Sequence, residues 1–166
     1  VNPLIGDTIP LPSYTTEGSA AIDLRACIEV EIEIHPGETE LIGSGIAINI
    51  KDPNVVGIIA PRSGLGIKNG IVLANTIGVI DSDYQGEIKI GLFNRGKTTY
   101  IIKPGERICQ MLFMPVIKAV LNLVQDFSTE TNAMMTTKHK TCNSTKPNMK
   151  HVIELSAACS GSDHPA

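Results

Sequence analysis

The chain has no tryptophan, no CxxC pair, no dense lysine and arginine patch, and no hydrophobic run near membrane-spanning length. A membrane helix needs about 18 or more consecutive apolar residues, and neither such a run nor a basic-then-apolar leader occurs, so the expected address is cytoplasmic with no membrane partner. Binding along a phosphate backbone relies on clustered cations, and a net charge of -3 sets nucleic acid aside, so any phosphate must be held locally. The four cysteines, Cys27, Cys109, Cys142 and Cys159, are read as buried thiols, not disulfides. Helical periodicity is almost absent.

What is present is punctuation. The 166 residues include 15 glycines and 10 prolines, and residues 20–114 break into short strand-like runs with turns between them. His35-Pro36-Gly37-Glu38 and Lys103-Pro104-Gly105-Glu106 suit type II turns, with proline at the first corner and glycine at the second. Strands at this spacing predict an all-β sandwich or barrel with few or no helices. The exception is residues 61–70, read as a loop with one helical turn. There Arg62 and Ser63 offer a forked cation and a hydroxyl to phosphate oxygens, and Gly64, Gly66 and Gly70 allow close backbone approach. A glycine-rich loop beside an arginine is also common without any ligand.

Residues 78–87, Gly-Val-Ile-Asp-Ser-Asp-Tyr-Gln-Gly-Glu, carry two acids and an aromatic ring between β-branched runs. They are expected to form a β-hairpin with Asp81, Ser82, Asp83 and Tyr84 at its tip and Gly86 supplying backbone freedom. A carboxylate there takes a proton from water, and the ring stacks on a flat or sugar-like ligand. The alternative is an Asx-turn in which the acids only satisfy backbone amides. Beyond Phe127 the alternation fades, and residues 128–166 are read as a mobile tail after a domain of residues 1–127. The tail's His139, Cys142, His151, Cys159 and His164 lack the short paired gaps of a zinc site.

Four segments in order, residues 19–26, 61–65, 78–87 and 105–110, carry a resemblance. The chain resembles the homotrimeric dUTPase family in its bacterial form over about residues 1–127. The resemblance implies a jelly-roll-like β-barrel trimer that hydrolyses dUTP to dUMP and pyrophosphate with Mg2+, in sites at subunit interfaces. It implies that Asp81 deprotonates the attacking water, that Asn75, Val79, Ile80, Asp81 and Lys89 recognise the uracil edge, and that Tyr84 packs on the deoxyribose. It further implies phosphate binding by Arg62, Ser63 and Gly64 from a neighbouring subunit with Gln110 in support, and Mg2+ held by Asp23 through water. Without the family, Asp23 reads as a turn acid, Gln110 as a strand polar residue, and Arg107 as a surface cation in a rim ion pair worth at most about 1 kcal/mol.

The chain also departs from the family. Ala21 stands where the first motif has glycine, the strand usually preceding Pro3 is missing, and residues 131–135 read Thr-Asn-Ala-Met-Met where an arginine- and glycine-rich lid is expected. A shifted reading frame is one explanation, which an intact frame in the coding DNA and the same tail by mass spectrometry would refute. The departure leaves a second reading open, a catalytically weak nucleotide-binding or regulatory trimer. A third, a dCTP deaminase of the same fold, finds no added motif.

Overall fold

A computed structural model describes residues 2–124 and 152–157, the backbone alone for part of the last segment. In chain order the elements are β1 (Ile22–Arg25), β2 (Ile32–Ile34), β3 (Thr39–Ala47), β4 (Val55–Pro61), α1 (Ser63–Lys68), β5 (Ile71–Leu73), β6 (Gly78–Ile80), β7 (Glu87–Asn94), β8 (Tyr100–Ile102), β9 (Arg107–Pro115), β10 (Ala119–Val124) and β11 (Val152–Ala157). The all-β expectation holds, with one six-residue helix. Among the described residues no helix is long and apolar enough to cross a membrane. The chain divides into two compact units, residues 1–116 and 117–166.

The first unit is jelly-roll-like, built from separate antiparallel ladders and not one closed barrel. One sheet runs β1-β9-β4-β6, a second β3-β7-β5, and β2 pairs with β8. The alternation of β7 shows why: Ile88, Ile90 and Leu92 are buried while Glu87 and Lys89 face out. The inward set joins Leu24, Ile34, Ile42, Ile71, Ile102 and Met111 in one apolar core. Asn94 is fully buried within it, donating to the carbonyls of Ile34 and Thr98 at 2.8 Å each and accepting from the Gly96 amide at 2.8 Å. No buried side-chain polar atom among the described residues lacks a partner, as a stable interior requires.

Both Pro-Gly turns form as the sequence predicts. Glu38 N donates to His35 O at 3.0 Å around Gly37 at φ 84, and Glu106 N to Lys103 O at 3.1 Å around Gly105 at φ 72. Neither turn closes a hairpin, because β2 pairs with β8 while β3 pairs with β7. The two strand and turn units are therefore joined to each other through β2 and β8.

The expected hairpin over residues 78–87 is corrected. β6 pairs with β4, whereas β7 pairs with β3 and β5. The acidic segment thus crosses from one sheet to the other, turning through a Tyr84 N to Asp81 O bond of 3.1 Å. Local alternation marks both strands but carries no information on their partners.

The second unit pairs β10 with β11 antiparallel, from Ala119 opposite Ala157 to Val124 opposite Val152. β11 falls inside the segment read from sequence as a tail. The rest of that segment, including the position of the missing lid and the five tail histidines and cysteines, lies outside the described residues.

Candidate active site

Two concave regions of the first unit gather most of the residues singled out by sequence, though not Asp81 or Tyr84, and their linings share none. The first is a cleft of about 340 Å³ between the two main sheets. Asn75, Val79, Ile80 and Lys89 line it over a floor that includes Ile59 and Leu73. Its shape depends on Gly78, which stands opposite Ile59 in the β4 and β6 ladder. A Cβ at Gly78 would lie 2.9 Å from Ile59 Cβ, so a side chain there would push the wall apart.

Asp81 directly follows the end of β6 and is exposed, and it is not part of the cleft lining. Tyr84 is 42% exposed, with its hydroxyl donating to Glu87 O at 2.9 Å. The ring lies across Gly86, where a Cβ would meet the tyrosine oxygen at 2.6 Å. Gly86 is thus required for space and not for backbone freedom, since it is not among the glycines of positive φ.

The second region is a polar pocket of about 360 Å³, lined by Asp23, Arg62, Ser63, Gly64 and Gln110 together with Thr15 and Ser19. Strand register builds it: Asp23 on β1 pairs with Gln110 on β9, which pairs with Ala60 on β4, one residue from the end of that strand. Gln110 Nε2 donates to Pro61 O at 3.0 Å, pinning the entry to α1. Asp23 bridges two cations, Oδ1 to Arg62 Nε at 2.9 Å and Oδ2 to Arg107 Nη1 at 3.2 Å. Arg62 Nη1 also donates to Arg107 O at 3.1 Å.

Of the loop glycines, Gly64 alone opens on this pocket, with nothing within 4 Å of a notional Cβ. Gly66 is buried against Val72, and Gly70, at φ 73, is pressed on the backbone of Gly96. These two do not line the pocket.

Arg107 forms the rim ion pair read from the sequence, and its partner is an acid 84 positions away, Asp23, whose second oxygen it holds. Its place in the fourth quoted segment, three residues before Gln110, was the only local signal. Next in sequence to Gln110, the Cys109 thiol is fully buried and pushed up to about 12, mainly by loss of solvent, with Asp23 adding to the rise and Arg62 opposing it. Cys109 and the half-buried Cys27 are free thiols.

Among the described residues no three histidines, cysteines or acids come together as a metal site. Asp23 spends one acceptor position of each oxygen on a guanidinium, and two neighbouring cations oppose direct metal coordination. The remaining lone pairs suit a water ligand of a metal that draws its other ligands elsewhere.

The sequence model of the dUTPase family matches residues 7–141. A deoxyuridine 5'-triphosphate nucleotidohydrolase from Tolumonas auensis is 56% identical over 125 residues, spanning 75% of this chain and 83% of that protein. Among solved structures, a mutant dUTPase of Staphylococcus bacteriophage 80alpha with dUpNHpp superposes with a TM-score of 0.67 at 21% identity, over 75% of this chain and 94% of that one. A mutant dUTPase from phage phi11 of S. aureus, whose structure describes the coordination of a structural Mg(II) ion, gives 0.67 at 21% identity over 76% and 96%. The two phage proteins speak to the fold alone. The family match and the bacterial relative go further: the chain belongs to the dUTPase family.

Proposed function

We propose that this protein hydrolyses dUTP to dUMP and pyrophosphate, with its active sites shared between the subunits of a homotrimer. The single observation that carries the reading is a cleft of about 340 Å³ walled by β5, β6 and β7 whose lining residue Ile80 is followed directly in the chain by an exposed acid, Asp81. In this reading Asn75 and the backbone of Val79, Ile80, Asp81 and Lys89 take the uracil edge, and the narrow cleft leaves no room for a 5-methyl group. Tyr84 packs on the deoxyribose and excludes a 2'-hydroxyl.

Asp81 accepts a proton from water as the water oxygen attacks the α-phosphorus. The bond from that phosphorus to the bridging oxygen breaks, and pyrophosphate carries away the electron pair. Arg62, Ser63 and Gly64 hold the phosphate chain, with Gln110 fixing the entry to α1. Preorganised donors of this kind stabilise charge where it develops in the transition state. The separate linings of cleft and pocket support an assembly in which Asp81 of one subunit works with Arg62 of another.

Mg2+ suits the donor set only as a companion of the triphosphate, with Asp23 reaching one of its waters. There it would neutralise phosphate charge and orient the chain. The bacterial relative, named for the activity, favours this reading over a catalytically weak binding trimer.

The test is pyrophosphate release from dUTP with Mg2+, beside dCTP, dTTP and UTP. Release from dUTP alone is expected. Release from none of them, with no rise in melting temperature on adding dUTP, would refute the reading.

A further inference from the structure

The chain must leave β5, which pairs with β7, and join β6, which pairs with β4, within residues 74–77. It does so through two overlapping turns, a four-residue turn over Leu73–Thr76 and a three-residue turn centred on Thr76. Thr76 N donates to Leu73 O at 3.1 Å, and Ile77 N donates back to Asn75 O at 2.7 Å. The central residue, Thr76, sits at φ 62. Glycine and asparagine adopt this region at little cost, whereas a β-branched residue there is a true outlier. Only one other non-glycine residue among those described has a positive φ, Lys51, and it lines neither the cleft nor the pocket.

The threonine hydroxyl closes the turn from within. Its Oγ1 donates to Asn75 O at 2.6 Å, so the Asn75 carbonyl receives both the Ile77 amide and the Thr76 hydroxyl. Two residues on the flanks of this knot, Asn75 and Gly78, line the base cleft, while Thr76 itself does not. A strained residue held beside a binding wall is characteristic of positions where preorganisation outweighs stability.

The geometry points to Thr76 as the positioning residue for base recognition: by holding a strained turn shut on the Asn75 carbonyl, it fixes the Asn75 side chain and the Gly78 wall for uracil. This inference rests on the proposed dUTP hydrolysis and assigns its base specificity to a residue that touches no substrate.

Three variants separate specificity from structure. Thr76→Val keeps the branched shape and loses the hydroxyl. It is expected to raise KM for dUTP about tenfold with kcat within about twofold of native, and to lower the preference for dUTP over competing dCTP about tenfold. Thr76→Ser keeps the hydroxyl and is expected to stay within about twofold of native in both quantities. Thr76→Gly relieves the backbone and is expected to melt no lower than native while losing preference as Thr76→Val does. A merely structural residue would not separate melting temperature from base preference in this way.

Native KM and preference in Thr76→Val would overturn the inference while leaving dUTP hydrolysis intact. So would a loss across all three variants that tracks their melting temperatures. A native protein that neither releases pyrophosphate from dUTP nor is stabilised by it would overturn the functional reading, and this inference with it.

Discussion

The base cleft and the polar pocket sit on the same unit and are made by opposite means. The cleft is a matter of backbone and shape: glycine facing isoleucine, a strained turn at Thr76, and a floor of core residues such as Ile59 and Leu73. The pocket is a matter of charge: one aspartate holding two arginines, on a row of three strands in register. A wall made of backbone selects by excluding what does not fit. A pocket made of side chains selects by charge, and its geometry is only as good as the ion pairs that hold it.

The comparison is broken most forcefully where the two regions meet the chemistry. Asp81→Asn keeps the shape of the side chain and removes the base, so turnover should fall by about 10³-fold, within the range typical of a general base, while dUTP binding stays within a few-fold. Single-turnover pyrophosphate release and a thermal-shift titration measure both, and unchanged turnover would exclude Asp81 as the base.

On the charged side, Asp23→Ala leaves Arg62 and Arg107 without their common partner. Misplaced phosphate donors should lower kcat/KM for dUTP by about 10²-fold. Binding of dUMP, which lacks the outer phosphates, should be nearly unchanged. Equal losses for both nucleotides would mean that the two regions are not functionally distinct.

The cleft is tested by Gly78→Ala. With the new Cβ 2.9 Å from Ile59 Cβ, the ladder must spread, and overpacking of this kind costs about 1–3 kcal/mol. A fall in melting temperature accompanied by weaker dUMP binding is the expected pair of results. The same substitution at Gly64 meets open space and should leave stability almost untouched.

The smallest effect concerns the buried thiol next in sequence to the pocket residue Gln110. Loss of solvent pushes Cys109 up from an ordinary value of about 9 to about 12, so the folded state holds its proton longer. Its contribution to stability is present below the unfolded value and is lost as pH rises from about 9 towards 12. Melting temperatures across that window should fall less steeply in Cys109→Ala than in the native protein. At pH 8 the native thiol should resist a disulfide reagent.

The same contrast explains what the sequence could reveal. Turns that demand a particular φ were legible, because Pro36-Gly37 and Pro104-Gly105 leave the backbone little choice. Most residues named through the resemblance line the cleft or the pocket, whereas Asp81 and Tyr84 line neither. The pairing of β6 with β4 was not legible, since the alternation of residues 78–92 is equally compatible with a hairpin. Nor was the partner of Arg107, which lies 84 positions away. The turn at Thr76 escaped because nothing in Asn-Thr-Ile-Gly announces a threonine at φ 62; glycine is the residue such a turn normally advertises. Strand β11 lay beyond the point where the sequence alternation fades, in a stretch read as tail.

The most direct test of the shared site mixes two disabled variants. Asp81→Asn and Arg62→Ala should each release almost no pyrophosphate from dUTP. If Asp81 of one subunit works with Arg62 of a neighbour, trimers reassembled from equal amounts should regain about a quarter of native activity, because random mixing leaves that share of interfaces with both residues intact. Mixed trimers as inactive as their parents would contradict the account, since both halves would then have to come from one chain.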